Sequence, residues 1–469
     1  MALFRAVLLS LFTVFSAAAQ TPPGPLPPEV EAALARANVP REALAVLVVD
    51  ADGKVAPRLA FNSQTAMNPA SVMKLITTYA ALEQLGPAFA WGTPVYADGT
   101  VRDGVLNGNL YIKGQGDPKL VVERLWLLLK RVQGLGIRAV AGDIVLDRSA
   151  FEVAEQDPGE FDGERLRPYN ASPDALLLNF KSLVMTLVPD RAAGTAAISS
   201  DVRLAGVALS SSVPLANGDC GDWRGALKAD FSDPTRVRFL GTYAAACGEK
   251  VWPFAYADPA SYARRVVEGQ WRELGGQLSG KVREGKVPAA VKPSFEMVSP
   301  TLSEVVRDIN KFSNNVMAQQ LFLTLSQQQR GTGTLEGSRE IVRSWWKERF
   351  GEATAPQLDN GSGLSRSERI SAQALGRMLQ SAWASPVMPE LLASLPISGV
   401  DGTLRRSKVR LPGSAHLKTG SLRDVVAMAG FVDAASGHRQ VLVAIVNHPN
   451  ANAARPALDA LVEWAARDQ

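Results

Sequence analysis

The stretch Ser71-Val72-Met73-Lys74 lies near the start of a segment, residues 69–85, whose apolar side chains recur at helical spacing. Gly86-Pro87 follows the segment and predicts its end. On such a helix Ser71 and Lys74 lie on one face, because they are three residues apart. A serine hydroxyl is a poor nucleophile until a base takes its proton, and a lysine amine whose pKa is depressed can be that base. We therefore interpret Ser71 as a candidate nucleophile and Lys74 as its base.

A second match to the S-x-x-K pattern, Ser344-Trp345-Trp346-Lys347, shows that the pattern is weak by itself. At average residue usage, a chain of this length holds about one or two such matches by accident. For Ser71 the alternative interpretation is an N-cap serine with a surface lysine one turn below it. The order of the motifs favours Ser71. Two further motifs follow Ser71 in the chain, and Ser344 falls between them, inside the predicted helix Leu335–Phe350.

The further motifs are Ser313-Asn314-Asn315 and Lys418-Thr419-Gly420. The first falls at the junction of two predicted helices. There the Ser313 hydroxyl can relay a proton to a leaving nitrogen, while the Asn315 amide can bind a substrate backbone and the Lys74 ammonium. The alternative is a plain helix cap and turn, since serine and asparagine favour such positions anyway.

The last motif continues as Lys418-Thr419-Gly420-Ser421 on a predicted edge strand. Lys418 can attract a substrate carboxylate, to which the hydroxyls of Thr419 and Ser421 can donate hydrogen bonds. Gly420 lets the backbone approach closely. The Ser421 N–H can form an oxyanion hole together with the N–H of the candidate nucleophile. The alternative is a lysine and a threonine on a solvated strand face.

The two ends of the chain carry the strands of one predicted sheet. A hairpin with a turn at Asp52-Gly53 lies near the N-terminus, and three strands lie near the C-terminus. We expect a five-stranded, mostly antiparallel sheet. Its first and last helices cover one face, and the helices that carry Ser71 and Ser313 cover the other. The predicted strands are Ala43–Val49, Val55–Phe61, Ala415–Ser421, Val426–Val432 and Arg439–Asn447.

The predicted fold class is therefore α+β with a large insertion. The middle of the chain is richer in short strands and turns, with helices predicted at Pro118–Gln133 and from Pro259 to about Leu278. We expect one domain built from residues 20–91 and 294–469 and an insertion, residues 92–293, that forms one domain or two.

The first residues have the pattern of a secretory signal peptide. Arg5 is followed by an apolar run to Phe15 and by Ser16-Ala17-Ala18-Ala19-Gln20, which predicts a signal peptide over residues 1–19 and export from the cytoplasm. The run is too short for a permanent membrane span, and no cysteine follows it for lipid attachment. The alternative is a buried N-terminal helix. The amphipathic C-terminal helix, residues 453–468, has no excess of Lys or Arg and is interpreted as a core helix, not a membrane anchor.

Export also sets the redox context of the two cysteines, Cys220 and Cys247. A disulfide between them is permitted outside the cytoplasm, and two free thiols are the alternative. Two cysteines and three unclustered histidines make a zinc site improbable. The net charge of +4 is small for this length and predicts no nucleic-acid partner.

Taken together, the motifs resemble those of the D-alanyl-D-alanine carboxypeptidase/endopeptidase family of low-molecular-mass (class C) penicillin-binding proteins, the group with a large insert between the first two motifs. The middle motif of the family often has Asp where this chain has Asn314, a position we interpret as structural. Further segments share the resemblance: Tyr111-Ile112-Lys113-Gly114-Gln115-Gly116-Asp117-Pro118, Gly142-Asp143, Asp359-Asn360-Gly361-Ser362-Gly363-Leu364-Ser365-Arg366 and Gly399-Val400-Asp401-Gly402-Thr403-Leu404.

The resemblance implies a penicillin-binding/β-lactamase-like transpeptidase domain and a periplasmic serine peptidase of peptidoglycan stem peptides, inhibited by β-lactams and without metal or organic cofactor. It implies that Ser71 is acylated, with Lys74 as the base. It also implies that Ser313 and Asn315 form the second catalytic element. By the same resemblance, the carboxylate binders are Lys418, Thr419 and Ser421, with Gly420 between them.

The resemblance also implies that an acidic residue of the insert recognises the diamino acid of the stem peptide. Asp162 and Glu164 are both candidates, and the sequence does not choose between them. Arg366 and Arg423 are candidate contacts for a distal carboxylate, with surface arginines as the alternative. Two rival functions remain open: a β-lactamase or esterase with the same constellation, and a catalytically silent wall-binding protein.

Overall fold

The computed structural model describes residues 25–154 and 156–467. The predicted signal peptide, residues 1–19, lies outside the described residues. The described residues form an α+β protein, which confirms the predicted fold class. Its α-helices are α1 (Pro28–Arg36), α2 (Lys74–Leu85), α3 (Val122–Gly134), α4 (Trp223–Ala226), α5 (Pro259–Glu273), α6 (Leu302–Phe312), α7 (Asn315–Arg330), α8 (Leu335–Phe350), α9 (Ala372–Trp383), α10 (Met388–Ser394) and α11 (Arg455–Arg467).

The strands are short in the middle of the chain and long at its C-terminal end. They are β1 (Leu44–Asp50), β2 (Leu59–Phe61), β3 (Ala66–Met67), β4 (Ala90–Arg102), β5 (Val105–Lys113), β6 (Ala139–Val140), β7 (Ile144–Asp147), β8 (Ser182–Asp190), β9 (Thr195–Ser200), β10 (Ala208–Leu209), β11 (Ser212–Ala216), β12 (Ala229–Asp230), β13 (Arg236–Phe239), β14 (Tyr243–Ala244), β15 (Lys250–Ala255), β16 (Gln277–Leu278), β17 (Val282–Glu284), β18 (Phe295–Thr301), β19 (Ile370–Ser371), β20 (Ala415–Leu422), β21 (Val425–Asp433) and β22 (Arg439–Asn447).

One sheet joins the two ends of the chain in the order β2-β1-β22-β21-β20. Every neighbouring pair in it is antiparallel, and β1 pairs with β22 along the whole of β1, with Leu47 opposite Val443. The predicted five-stranded sheet is thus confirmed. β20, which carries the Lys418 motif, is the edge strand at one end of this order, so its outer side faces the neighbouring turns and not another strand of the sheet.

Helices cover both faces of this sheet, which is why its central strands are almost continuously apolar. On one face α1 and α11 pack against alternate strand residues such as Val46 and Leu442. On the other face α2, α6 and α9 pack against the intervening residues, such as Leu47 and Val443. The predicted assignment of helices to the two faces is confirmed, and α11 is a core helix as expected.

Four predicted elements differ from the structure. The helix expected over Pro118–Gln133 begins only at Val122, because the preceding residues form a turn and Val121 is extended. The strand expected over Val55–Phe61 is reduced to β2, because Pro57 lacks an N–H and cannot donate to a strand ladder. The helix expected to reach Leu278 ends at Glu273, where Gly275 takes a φ of +80° and the chain turns into β16. The helix expected from Pro69 begins as a 3₁₀ turn and becomes α-helical at Lys74.

The insertion has its own apolar core, built from β4 to β18 and from α3 and α5, with Trp271 among its buried side chains. β4 and β18 pair antiparallel where the chain enters and leaves this region, from Val95 opposite Phe295 to Ala90 opposite Thr301. This pairing supports our proposal of an inserted domain, with β18 belonging to its sheet although the predicted boundary lies at residue 293. Cys220 and Cys247 form a disulfide beside this core. Among the residues described, no helix is both long enough and apolar enough to cross a membrane.

Candidate active site

Ser71 lies in a 3₁₀ turn, Ala70–Met73, that leads directly into α2. The turn begins with Ala70 at a φ of 47°, a conformation that is costly for a residue with a Cβ. Asn68 holds it there, because its Oδ1 accepts the Ala70 N–H at 2.8 Å while its Nδ2 donates to the Ser365 carbonyl at 2.9 Å. The half-buried Ser71 is thereby fixed near the N-terminal end of α2, where the helix dipole favours negative charge.

Lys74 is fully buried on the first turn of α2. Its Nζ contacts three oxygen atoms: Ser71 Oγ at 3.0 Å, Asn315 Oδ1 at 2.6 Å and the Ser362 carbonyl at 2.5 Å. An ammonium has three protons, one for each contact. A neutral amine keeps two protons for Asn315 and Ser362 and turns its lone pair to the Ser71 hydroxyl. The site therefore has the geometry in which Lys74 takes the Ser71 proton.

The charge state of Lys74 is set by its burial. Burial lowers its pKa from 10.5 to about 7, and the nearby Glu368 carboxylate opposes that shift. A base with a pKa near neutrality is partly deprotonated at neutral pH and is still basic enough to accept a proton. The structure thus brings together the predicted nucleophile and a lysine with the properties that the predicted base needs.

The second motif follows α6 at a sharp change of direction. Ser313 ends α6 in the left-handed conformation, with φ 57° and ψ 39°, and its Oγ accepts a hydrogen bond from Lys418 Nζ at 2.9 Å. Asn314 Oδ1 accepts the Met317 N–H and caps α7, the structural position that the sequence predicts.

Asn315 joins the insertion to the main domain at the site. Its Oδ1 accepts from Lys74, and its Nδ2 donates to the Tyr169 carbonyl at 3.3 Å. Tyr169 belongs to the insertion and was not predicted as a site residue. The amide of Asn315 thus contacts both Lys74 and the insertion. These two hydrogen bonds hold the insertion next to the base, so residues far apart in sequence form one wall of the cleft.

Lys418 is fully buried below the cleft and is not a surface cation. Its Nζ donates to Ser313 Oγ and to the Thr419 carbonyl at 2.6 Å. Burial lowers its pKa well below the ordinary value, and the charge of Lys74 lowers it further. The groups of this strand that face the cleft are the hydroxyls of Thr419 and of the exposed Ser421. The Thr419 hydroxyl contacts Thr403 Oγ1 at 2.7 Å.

Gly420 is required by the close approach of β20 to the turn that carries Ser71. A Cβ at this position would lie 2.5 Å from the Pro69 carbonyl oxygen and 3.2 Å from the Ser71 nitrogen. Only a residue without a Cβ lets the strand backbone lie this near to the nucleophile. This packing brings the backbone of Ser421 and the N–H of Ser71 to the same side of the cleft, as an oxyanion hole requires.

Asp162 lies in the insertion, and Arg366 lies in the main domain where it contacts the insertion. The Asp162 carboxylate accepts from Tyr169 Oη at 2.9 Å and from Asn170 Nδ2 at 2.8 Å. Partial burial alone would raise its pKa, but hydrogen bonds from the Glu164 N–H, Asn170 and Tyr169 hold it below the ordinary value. Glu164, the other acidic candidate, pairs with Arg167 at 3.1 Å instead.

The exposed Arg366 guanidinium pairs with Asp424 at 2.9 Å and stacks over the ring of Phe161, 4.6 Å from its centroid. It lines a cavity of about 380 Å³ together with Phe161, Asn170 and Asn360. The structure therefore places Arg366 between the two domains, beside the same part of the insertion as Asp162. Arg423, the alternative arginine, lies on the exposed turn between β20 and β21.

Sequence reasoning missed one buried carboxylate next to the base. Glu368 is fully buried, and its Oε1 accepts the N–H groups of three successive residues, 359–361, at 3.0 to 3.2 Å. Burial raises its pKa to about 7. The segment 359–366 is recognisable from the sequence only through its resemblance to the family. Nothing in the residues around Glu368, two positions beyond that segment, predicts that its side chain is buried.

The second S-x-x-K match has none of these properties. Ser344 lies on α8, where it borders a separate surface cavity with Gln84 and Arg330. Lys347 is exposed and pairs with Glu352 at 2.9 Å, which raises its pKa. An exposed, charged lysine is not a base at neutral pH. Within residues 25–154 and 156–467, no three His, Cys, Asp or Glu side chains are grouped as metal ligands.

Comparison with known proteins identifies relatives over nearly the whole chain. The family model described as D-Ala-D-Ala carboxypeptidase 3 (S13) family matches residues 26–468. D-alanyl-D-alanine carboxypeptidase DacB of Haemophilus influenzae is 26% identical over 395 residues, 82% of this chain and 82% of that protein. The D-alanyl-D-alanine carboxypeptidase of Actinomadura sp. (strain R39) is 28% identical over 411 residues, 81% of this chain and 73% of that protein.

Solved structures show the same fold. Penicillin binding protein 4 (dacB) from Haemophilus influenzae superposes with a TM-score of 0.73 at 24% identity, covering 92% of this chain and 99% of that one. That protein is also known in complex with a β-lactam. Bd3459, a predatory peptidoglycan endopeptidase from Bdellovibrio bacteriovorus, superposes with a TM-score of 0.53 at 14% identity, covering 90% of this chain and 92% of that one.

Proposed function

Since this chain belongs to the D-Ala-D-Ala carboxypeptidase 3 (S13) family, we propose that it is a serine-type D-alanyl-D-alanine carboxypeptidase, also able to act as a D-amino-acid endopeptidase, on peptidoglycan stem peptides. The observation that carries this proposal is the contact between the buried Lys74 Nζ and Ser71 Oγ at 3.0 Å. A buried lysine of lowered pKa in this position supplies the base that a serine nucleophile needs.

In the proposed acylation step, neutral Lys74 takes the proton of the Ser71 hydroxyl as Oγ attacks the carbonyl carbon between two D-alanines. The carbonyl oxygen gains negative charge between the N–H groups of Ser71 and Ser421. The C–N bond then breaks, and the proton passes from Lys74 through the Ser313 hydroxyl to the leaving nitrogen. The leaving group is D-alanine in the carboxypeptidase reaction and the cross-linked strand in the endopeptidase reaction. Water then hydrolyses the ester and releases the acyl group from Ser71.

Lys418 supports this step from below the cleft. Its Nζ donates to Ser313 Oγ, which orients the hydroxyl that relays the proton. A positive charge there also attracts the carboxylate of the leaving D-alanine, for which the hydroxyls of Thr419 and Ser421 are the proposed direct contacts. Asn315 holds Lys74 in place and lies where a substrate backbone would pass.

The insertion side of the cleft is the proposed site for the diamino acid of the stem peptide. Asp162 is the better supported acidic residue. Its carboxylate accepts a hydrogen bond from Tyr169, and the Tyr169 carbonyl in turn contacts Asn315. Glu164 instead pairs with Arg167. Arg366 is the proposed contact for a distal carboxylate.

We propose the periplasm as the location, with removal of residues 1–19 and no stable membrane anchor afterwards. The Cys220–Cys247 disulfide supports an oxidising compartment. β-Lactam antibiotics are proposed as inhibitors, because their strained amide acylates the same serine as the D-alanyl-D-alanine bond.

The proposed activity is tested by incubating the mature protein with a stem pentapeptide that ends in D-Ala-D-Ala. We expect release of one D-alanine per peptide, measured by amino-acid analysis, together with the tetrapeptide product. A peptide that ends in L-Ala-L-Ala is the matched control and is expected to stay intact. No D-alanine release by folded protein would contradict the proposal.

The rate of acylation is expected to rise with pH through about 7 and to level off above it. The sign follows from the lowered pKa: below it Lys74 is protonated and cannot accept the Ser71 proton, and above it the neutral base predominates. The measurement is the rate constant of labelling by a fluorescent penicillin from about pH 5 to about pH 9. A rate that does not change with pH, or one that rises only near pH 10, would contradict Lys74 as the base.

A further inference from the structure

A cavity of about 700 Å³ opens beside Ser71 on the side away from the insertion. Its wall includes Thr419 and Ser421 of β20 and three cationic side chains from other segments. We call this cavity the basic pocket, and its polar wall includes Ser71, Thr419, Ser421, Arg406, Lys408 and Arg455. The proposed leaving group departs toward this wall, because Thr419 and Ser421 are the proposed contacts of its carboxylate.

Arg455 lies next to these contacts. It is exposed at the start of α11, and its Nη2 donates to Ser421 Oγ at 2.9 Å and to Asn452 Oδ1 at 3.0 Å. In the part of the chain that the structure describes, no carboxylate pairs with it. An arginine held by two neutral acceptors keeps its charge and further donors available for a carboxylate.

Arg406 and Lys408 extend the positive charge away from Ser71. Both are exposed, and neither forms an ion pair within the described ranges. Asp459 also lines the pocket, near Arg455 and Lys408, but among the described lining residues it is the one acidic side chain against three cationic ones. The pocket is therefore positive overall and attracts anionic groups.

The size of the pocket exceeds what a single D-alanine needs. Pockets of this volume bind molecules of many atoms, and a wall of three cations suits a ligand with several carboxylates. In the cleavage of a cross-link, the leaving amine belongs to a diamino acid. Where that residue is a diamino dicarboxylic acid, it has a carboxylate on the carbon that bears the leaving amine, and it is attached to a second stem peptide with further carboxylates.

We propose that the basic pocket is a subsite for anionic leaving groups larger than D-alanine, namely the second stem peptide of a cross-link. Arg455 binds the carboxylate beside the cleaved bond, and Arg406 and Lys408 bind carboxylates farther along. This assignment rests on the proposed function and adds a leaving-group site to it. No new chemical step is involved, because the same C–N bond breaks and only the group that departs differs.

The test compares kcat/KM for two substrates, a monomeric pentapeptide and a cross-linked stem-peptide dimer. In the double variant Arg406→Gln/Lys408→Gln, the ratio of dimer to monomer kcat/KM is expected to fall about tenfold, mostly through KM of the dimer. Arg455→Gln is expected to lower kcat/KM for both substrates, because each leaves with a carboxylate beside the cleaved bond. Arg410→Gln, an exposed neighbour outside the pocket, is the matched control and leaves the ratio unchanged.

Each outcome is decisive. An unchanged ratio in the double variant overturns the subsite, as does a wild-type protein that releases D-alanine but does not cleave the dimer. A wild-type protein that acts on neither substrate overturns the proposed function itself. Melting temperatures of the variants separate loss of binding from loss of folding.

A different observation concerns the buried Glu368. Its Oε1 accepts three backbone N–H groups of the turn that ends at Ser362, and the Ser362 carbonyl is a contact of Lys74 Nζ. Thr77 of α2 donates to the Gly361 carbonyl in the same turn. Glu368 Oε2 has no hydrogen-bond partner among the described residues. A carboxylate thus organises the turn that holds the base, and only one of its two oxygens accepts hydrogen bonds from the described residues.

The charged neighbours of this pair are few. Lys74 faces Glu368 from α2, and Lys418 approaches Lys74 from β20. Asp359 also approaches Glu368, but its carboxylate pairs with Arg339 at 3.0 Å. The ionised form of Glu368 is therefore the main negative charge acting on Lys74.

We infer that Glu368 is a positioning residue for Lys74. Glu368 holds the Ser362 carbonyl toward Lys74 Nζ, and the charge of Glu368 sets the pH at which the Lys74 amine becomes neutral. Glu368→Gln keeps an oxygen acceptor for the turn and removes the charge. Glu368→Ala removes both the acceptor and the charge.

The rate of labelling by a fluorescent penicillin is measured against pH for each variant. For Glu368→Gln we expect a midpoint at least about one pH unit below that of the wild type, with a similar plateau. For Glu368→Ala we expect a lower plateau, since the turn is no longer held. A Gln variant with the wild-type midpoint would overturn the electrostatic role, and an Ala variant with the wild-type plateau would overturn the positioning role.

Discussion

Replacing Ser71 with alanine is expected to abolish both D-alanine release and labelling by penicillin. Ser71 Oγ is the atom that forms the acyl bond in the proposed mechanism, and loss of a serine nucleophile lowers kcat by roughly 10⁴- to 10⁶-fold. The side chain is half-buried, and alanine fits its place, so the protein is expected to remain folded. The measurements are D-alanine release and fluorescent-penicillin labelling of the purified variant, with a melting curve beside them.

Ser344→Ala is the matched control for this variant. Ser344 belongs to the second S-x-x-K match, but its lysine, Lys347, is exposed and paired with Glu352. Labelling of Ser344→Ala is expected to equal that of the wild type. Residual labelling of Ser71→Ala, or loss of labelling in a folded Ser344→Ala, would show that the nucleophile is assigned to the wrong serine.

Replacing Lys74 with methionine is expected to slow acylation by about 10²- to 10⁴-fold, the usual contribution of a positioned general base. Methionine fills a similar buried volume without an amine, and it removes a buried ionisable group, so stability is expected to be kept. The remaining rate is expected to lose the rise with pH through about 7, because the group that titrates there is gone. Labelling time courses at several pH values measure both effects.

Lys347→Met is the matched control for the base, since it removes an exposed lysine of the same sequence pattern. It is expected to leave the rate and its pH dependence unchanged. If Lys74→Met keeps a rate within tenfold of the wild type, or keeps the same rise with pH, another group is the base. Lys418 is the nearest alternative, because it is also buried and reaches Ser313.

The central sheet could be predicted because its strands are long, almost wholly apolar and bounded by turn residues. β22 has the predicted bounds, and the N-terminal hairpin and the three C-terminal strands join in one sheet as predicted. The strand order was not predicted, because the sequence does not say which C-terminal strand the hairpin pairs with. The errors lie at element ends, where single residues decide. Pro57 shortens β2, and Gly275 ends α5.

The motifs could be predicted as candidates, but their contacts are tertiary. Lys74 and Asn315 are 241 residues apart in sequence and meet because α2 and α7 pack together below the sheet edge. The burial of Lys418 could not be read from a strand pattern, which predicts only alternate faces. Its contact with Ser313 depends on how α6 ends, and a left-handed serine has no sequence signature.

The residues that sequence reasoning missed have ordinary local contexts. Glu368 lies in a polar loop, and Arg455 begins a helix that is amphipathic like many others. Their importance comes from what packs around them, because Glu368 is enclosed beside Lys74 and Arg455 contacts Ser421. Tyr169 contributes through its backbone carbonyl, a group that every residue has.

The most direct test of the account is intact-mass spectrometry of the mature protein with excess benzylpenicillin, followed from minutes to hours, with peptide mapping of the adduct. The account predicts a single lasting penicilloyl adduct on the peptide that contains Ser71. Rapid hydrolysis of penicillin without a lasting adduct would favour a β-lactamase. An adduct on another residue, or neither adduct nor hydrolysis by folded protein, would contradict the central claim that Ser71 forms the acyl-enzyme.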